Sequence, residues 1–205
     1  LPDREHSIAT YALWLDAFLS ATDLRGTTLL GHSFGTIVVA HAIADGTPAE
    51  RVILVNPIAS DPMRGVLPQL TRLFYRAGTA LPEGAGRALL GSPVIVRFMS
   101  MTLAKTPDRA LRRWIHEEHD RYFSEFADRT TLAEGFEASL STDVSVVADA
   151  LDMPVLIIAG EEDMVAPVDA ARRLASRLPE VSYVELPGVG HLDEGVEGAE
   201  GAPVE

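Results

Sequence analysis

A serine stands between two glycines in a pattern that suits nucleophilic catalysis. Residues 31–35 read Gly-His-Ser-Phe-Gly, which matches G-x-S-x-G, and they follow a short apolar strand pattern at 27–30. A serine hydroxyl is a weak nucleophile, so it must be presented in the open beside a base. A sharp turn from strand to helix does this, and the flanking glycines would relieve the crowding that such a turn causes. The pattern predicts Ser33 as the nucleophile and the Phe34 backbone N–H as a donor to a developing oxyanion.

An activated serine also needs an imidazole to accept its proton and a carboxylate to orient that imidazole. His191 lies in a glycine-containing loop after the strand pattern at 181–186. Three carboxylates, in the Glu-Glu-Asp run at 161–163, follow the apolar strand pattern at 154–160. Because parallel strands end at one edge of a sheet, both loops can approach the serine. Spacing alone leaves the choice among the three carboxylates open.

Taken together, these segments resemble the signature segments of the α/β-hydrolase superfamily, and they occur in the same order. The resemblance covers nearly all residues from 7 to 191, and its segments lie at 31–35, 160–167 and 188–191. In that family the acid stands three residues after the glycine that ends the penultimate strand, and the base falls in a Gly-His pair after the last strand. The resemblance therefore implies a catalytic triad of Ser33, Asp163 and His191, with no metal or organic cofactor.

The elements that must position these residues alternate between strand and helix patterns. This alternation predicts an α/β fold with a mostly parallel sheet and helices on both faces. The β-branched run within 34–44 would also suit a strand, but the motif before it favours a helix. The expected helices cover 7–22, 34–44 and 167–178, and the expected strands cover 27–30, 51–57, 154–160 and 181–187.

Between residues 58 and 147 the strand patterns nearly vanish, and helical patterns interrupted by proline and glycine replace them. The longest predicted helix begins near Pro107, because proline suits a first helical position, and it ends at about Asp128. The resemblance implies a helical cap over 58–147, inserted into a core formed by 1–57 and 148–191. The acidic, glycine-rich residues 192–205 show no helical face, and we expect a mobile tail there.

Two parts of the family pattern have no counterpart in this sequence. The family's first strands, with the loop that supplies a second oxyanion donor, would precede Leu1, and its final helix is not evident in the tail. We therefore expect an incomplete sheet with an exposed edge at the strand around 27–32. We also expect residues 1–205 alone to fold or hydrolyse poorly, and a homodimer that completes the sheet is left open.

Composition excludes several classes of function. Lys plus Arg is 17 and Asp plus Glu is 30, and the net charge of −13 repels phosphate backbones, so we expect no nucleic-acid partner. The chain has no cysteine, which excludes disulfides and thiolate catalysis. No apolar run reaches the roughly 18 residues of a membrane span. The first residues lack the features of a signal peptide, and we expect a cytoplasmic location.

One further pattern, His-Glu-Glu-His at 116–119, resembles a metal motif only in composition. A helical zinc site needs histidines at i and i+4, and here they stand at i and i+3, so we predict a charged helix face.

The sequence thus predicts a serine hydrolase that acts on an ester-like bond of a small or medium apolar molecule through an acyl-enzyme. Serine rather than aspartate at position 33 argues against the halide- and epoxide-opening branches of the family. Esterase, lactonase, C–C hydrolase, amidase, acyltransferase and perhydrolase activities remain open. The alternative is a non-catalytic protein that binds a ligand or partner without turnover.

Overall fold

Four parallel strands form the sheet that positions the predicted site. The computed structural model of the chain describes residues 4–63 and 66–192. The strands lie side by side in chain order, each parallel to its neighbour: β1 (Thr28–His32), β2 (Arg51–Val55), β3 (Val155–Gly160) and β4 (Val181–Leu186). The predicted parallel sheet with helical crossovers is therefore confirmed. Its four strands fit the incomplete sheet that the sequence predicts.

Within residues 4–63 and 66–192, eight α-helices and one 3₁₀ segment connect or flank these strands. They are α1 (Ile8–Ala21), α2 (Phe34–Ala44), α3 (Val66–Ala80), α4 (Glu83–Leu90), α5 (Pro93–Leu103), α6 (Arg109–Tyr122), α7 (Arg129–Leu140), the 3₁₀ segment (Val144–Ala150) and α8 (Val168–Ala175). The helix predicted at 34–44 has the predicted bounds, so the alternative of a strand there is wrong. Helix α1 begins after Ser7, whose side chain accepts a hydrogen bond from the Thr10 N–H, as expected of an N-cap.

The long helix predicted from near Pro107 to about Asp128 begins where expected but ends too late, because two aspartates cap two separate helices. Asp108 accepts from the N–H groups of Ala110 and Leu111, so α6 begins at Arg109, two residues after the proline. Asp128 accepts from the Thr131 N–H and starts α7, and α6 has already ended at Tyr122. An N-cap residue has non-helical backbone angles, so a helix could not have continued through Asp128.

The core lies between the sheet and a layer of helices. Helices α1 and α2, the 3₁₀ segment and α8 contact one another in that order, and α2 and α8 also contact strands. Fully buried side chains from both layers, such as Ile37, Leu54, Ile157 and Leu174, fill the space between them. Each contributes about 1.5–3 kcal/mol of burial free energy.

The opposite face of the sheet, where the sequence also predicts helices, is less covered among the described residues. Side chains alternate along β1 and β2, and those that point away from the helical layer are half-buried or exposed. Leu30, on edge strand β1, is 62% exposed, which is unusual for an apolar residue of a parallel strand.

Helices α3 to α7 all lie between β2 and β3 in the chain, within the segment predicted to form a cap. Helices α3, α4 and α7 contact one another, and α5 pairs with α6. The predicted division into core and cap stays a prediction. The predicted mobile tail at 192–205 lies outside the described residues apart from Leu192. None of the helices within 4–63 and 66–192 is long and apolar enough to cross a membrane.

Candidate active site

Ser33 occupies a sharp turn between β1 and α2. Its φ of +51° lies in the left-handed region, which costs a non-glycine residue about 1–3 kcal/mol. Three hydrogen bonds hold this conformation. The Ser33 N–H donates to the Val55 carbonyl at 3.0 Å, and the Ser33 carbonyl accepts from the Thr36 N–H at 2.9 Å and the Thr36 hydroxyl at 2.5 Å. The strained turn is therefore fixed both to the neighbouring strand and to the first turn of α2.

The two glycines of the motif differ in their surroundings. A Cβ on Gly31 would stand 2.6 Å from the Gly35 carbonyl oxygen and 2.8 Å from the Thr36 nitrogen, which is too close for any side chain. A Cβ on Gly35 would meet nothing within 4 Å, and its φ lies outside the left-handed region. The expected crowding is thus present at Gly31 and absent at Gly35 among the described residues.

His191 is buried between the other two predicted residues. Its Nε2 lies 2.8 Å from the Ser33 Oγ, and its Nδ1 lies 2.7 Å from the Asp163 Oδ2. A carboxylate oxygen can only accept a hydrogen bond, so Nδ1 carries the proton and Nε2 is left to accept from the serine hydroxyl. This is the tautomer that a general base acting on Ser33 requires.

Of the three carboxylates that the spacing left open, Asp163 is the one brought to His191. Asp163 is buried, whereas Glu161 and Glu162 are exposed. The second Asp163 oxygen, Oδ1, accepts from the N–H groups of Val165 and Ala166 at 2.7 and 2.8 Å. These bonds fix the carboxylate plane and leave Oδ2 directed at the imidazole.

Two further polar side chains contact the loop of His191. The His32 Nε2 lies 3.1 Å from the His191 carbonyl oxygen, so it must carry a proton and donate there. Asn56, directly after β2, also donates to that carbonyl, at 3.2 Å. The sequence reasoning missed Asn56. The available signal was an amide side chain at the carboxyl end of an apolar strand, the sheet edge where the other site residues lie.

Phe34, predicted to donate its N–H to an oxyanion, is the first residue of α2. The first N–H groups of an α-helix have no carbonyl partner within the helix, and the helix dipole favours negative charge there. The Phe34 ring meets the Tyr11 ring edge to face, with centroids 5.3 Å apart. Burial raises the pKa of the Tyr11 phenol, and the negative charge of Glu134 raises it further, so Tyr11 is neutral beside the site.

No group of three or more His, Cys, Asp or Glu side chains within the described ranges is arranged to hold a metal ion. The histidines at 116 and 119 do not form the charged face expected for them. His116 pairs with the Ser100 hydroxyl at 2.6 Å, and His119 is buried with no hydrogen-bond partner for its Nδ1.

Comparison with known proteins places the chain among hydrolases of related sequence and fold. The Klebsiella pneumoniae protein RutD, named for a proposed carbamate hydrolase activity, is 26% identical over 187 residues, which are 91% of this chain and 66% of RutD. The N-formylmaleamate deformylase of Pseudomonas putida is 23% identical over 93% of this chain and 66% of its own length. The chain thus spans about two thirds of the length of these relatives.

Solved structures show the same fold. An esterase from Exiguobacterium antarcticum superposes with a TM-score of 0.71 at 16% identity, covering 92% of this chain and 68% of the esterase. The enol-lactonase of Burkholderia xenovorans superposes with a TM-score of 0.68 at 20% identity, covering 89% of this chain and 65% of the lactonase. The profile of the alpha/beta hydrolase family matches residues 2–198, so the chain belongs to that family.

Proposed function

We propose that this chain carries the catalytic triad of a serine hydrolase that cleaves an ester-like bond through an acyl-enzyme on Ser33. One observation carries the proposal: a continuous row of hydrogen bonds runs from the Ser33 hydroxyl through both nitrogens of His191 to the Asp163 carboxylate. The three side chains come from loops after three different strands. A structural role alone gives no reason for a strained serine to face a histidine in this tautomer.

The proposed reaction has two steps. In the first, His191 Nε2 takes the proton of Ser33 as the hydroxyl oxygen attacks the carbonyl carbon, and His191 then gives that proton to the leaving group. In the second, His191 takes a proton from water, the hydroxide attacks the acyl-enzyme, and the proton returns to Ser33 as the acid leaves. Asp163 stabilises the imidazolium in both steps, and the Phe34 N–H stabilises the oxyanion.

We propose a small or medium apolar substrate with an electrophilic carbonyl. The related carbamate hydrolase and deformylase are both named for reactions at a carbonyl carbon. Helices α3 to α7, which we propose as the cap, bear apolar side chains that are largely exposed, among them Leu73, Phe98 and Met101. An apolar surface over the site would favour an apolar acyl or alcohol group.

A fluorophosphonate probe, which reacts with the activated serine of a serine hydrolase, tests the proposal. We expect the wild type to be labelled and Ser33→Ala not to be. Ser176→Ala is the matched control, because Ser176 lies on the surface just after α8, where its hydroxyl donates to the Arg173 carbonyl. Its labelling should equal that of the wild type. Absence of labelling in the wild type would favour the non-catalytic alternative. Labelling that persists in Ser33→Ala would show that a residue other than Ser33 is the nucleophile.

Asp163→Asn tests the carboxylate in a second way. The Oδ1 position must still accept from the N–H groups of Val165 and Ala166, so the new NH₂ group must face His191. That NH₂ forces Nδ1 to accept and moves the imidazole proton to Nε2, which then cannot take the proton of Ser33. We expect the hydrolysis rate to fall about 10⁴-fold with little change in folding. A loss below tenfold would contradict the proposed role.

A further inference from the structure

Asn56 lies at the point where the three catalytic loops meet. It follows β2, the strand between the one that carries Ser33 and the one that precedes Asp163. It is fully buried, and its φ of +45° lies in the left-handed region, where asparagine is tolerated better than most residues. A buried polar residue held in a strained conformation indicates a constraint that packing alone does not explain.

The Asn56 side chain joins the loops that carry the acid and the base. Its Oδ1 accepts from the Gly160 N–H at 2.8 Å, where the loop of Asp163 begins. Its Nδ2 donates to the carbonyls of Gly190 and His191, at 3.4 and 3.2 Å. The Asn56 N–H also donates to the Ile158 carbonyl of β3 at 2.8 Å. One residue thus bridges segments that lie 104 and 135 positions away in the sequence.

We propose that Asn56 is a positioning residue that holds the His191 imidazole at hydrogen-bonding distance from the Ser33 hydroxyl. This inference rests on the proposed function. The amide is suited to the task because it accepts on one side and donates on the other, whereas aspartate only accepts when ionised and leucine does neither. Loss of the donated bonds would leave the His191 carbonyl with the His32 donor but without the bond to β2, so the main chain of His191 could shift. A misplacement of about 1 Å can cost on the order of 100-fold in rate.

Asn56→Asp keeps the shape of the side chain and changes its hydrogen bonding and, when the carboxyl is ionised, its charge. When ionised, the second carboxylate oxygen would face the carbonyl oxygens of Gly190 and His191 and repel them. When protonated, it would donate to one of them again. We expect the rate of fluorophosphonate labelling, relative to wild type, to fall on the order of 100-fold at pH 8 and to recover as the pH is lowered towards 5.

The pH dependence separates positioning from a loss of stability. Thr47→Val is the matched control, because it removes one part-buried side-chain hydrogen bond, to Asp16 at 3.2 Å, in the loop before β2, whereas Asn56 follows β2. Its labelling rate should match wild type at every pH. A rate for Asn56→Asp within twofold of wild type overturns the inference, and so does a deficit that is the same at every pH.

A second measurement needs no variant and holds if Asn56→Asp fails to fold. Asn56 is the chain's only asparagine, so labelling with ¹⁵N-asparagine gives a single side-chain amide in an NMR spectrum. We expect its protons to exchange slowly with solvent, because the amide is fully buried and hydrogen-bonded to both loops. Rapid exchange would refute the inference. If the wild type is not labelled by the probe, the proposed function fails. The spectrum still tests whether the Asn56 side chain joins the two loops.

Discussion

The close approach of Gly31 to helix α2 can be tested with one methyl group. Gly31→Ala would place its Cβ 2.6 Å from the Gly35 carbonyl oxygen and 2.7 Å from the Gly35 carbonyl carbon. Ordinary contact begins near 3.4 Å, so the deficit is 3.4 − 2.6, or 0.8 Å. The obstacle is backbone rather than a movable side chain. The first turn of α2 must therefore shift, and Ser33 lies within the segment that moves.

The size of this shift sets the expected effects. Forcing an extra methyl group into a packed site costs typically about 1–3 kcal/mol. For a chain of this length, a loss of about 2 kcal/mol lowers the melting temperature by roughly 4–8 °C. If Ser33 is the nucleophile, as proposed, a displacement near 1 Å at this residue should reduce the labelling rate on the order of 100-fold. Thermal unfolding followed by circular dichroism, with probe labelling of the folded protein, measures both effects.

Gly35→Ala supplies the comparison within the same motif. Its Cβ would meet nothing within 4 Å, and alanine favours a helix over glycine by roughly 0.5–1 kcal/mol. We expect unchanged or slightly higher stability. The reasoning is refuted if Gly35→Ala destabilises the protein as much as Gly31→Ala, or if Gly31→Ala unfolds at the wild-type temperature.

Two further predictions concern the helices between β2 and β3. The Arg129 guanidinium donates to the carbonyls of Gly78 and Leu81 and to the Glu83 carboxylate. Arg129→Ala should therefore lower the free energy of unfolding in urea by about 1–3 kcal/mol. Arg129→Lys should restore only part of this loss. An unchanged urea midpoint in Arg129→Ala would contradict the prediction. Burial, and then the charge of His116, lower the pKa of His119 below its usual 6.5. As the pH falls, the His119 side chain therefore takes up a proton more readily in the unfolded chain than in the folded one. The stability of the wild type falls for this reason as the pH drops below about 6.5. His119→Leu removes this proton uptake and the unpaired Nδ1, so it should add about 1 kcal/mol at neutral pH and make the fall in stability between about pH 6.5 and 5 less steep. A smaller fall remains, because burial and nearby arginines also lower the pKa of His116. A slope equal to that of the wild type would contradict the prediction.

Sequence reasoning succeeded where the signal is local. The bounds of α2 could be predicted because the strand, the motif and the apolar helix pattern occur together within about 20 residues. Asp163 could be preferred only through the family pattern, since three adjacent carboxylates look alike in sequence. The structure places them differently because the N–H groups of Val165 and Ala166 turn one carboxylate inward.

Features that depend on distant contacts could not be predicted in this way. The partners of Asn56 lie more than 100 positions away, and no periodicity marks them. The break between α6 and α7 could not be predicted from the apolar pattern, because apolar residues continue at helical spacing across it. The feature that marks the break is a hydrogen bond from the Thr131 N–H to the Asp128 side chain. The difference between Gly31 and Gly35 arises from the path of the chain after the turn, which two identical residues in a motif do not reveal.

The separation of the proposed triad along the chain bears on when the proposed reactivity would appear during folding. Ser33 and His191 are 158 positions apart in sequence and 2.8 Å apart in space. Contacts between residues so far apart in sequence form late in folding, because closing the long loop between them costs conformational entropy. Single helices, in contrast, form within about a microsecond. During refolding, recovery of probe reactivity should therefore lag behind recovery of the helical signal. The rate at which Ser33 becomes reactive would then report when the two edge strands, β1 and β4, take their places in the sheet.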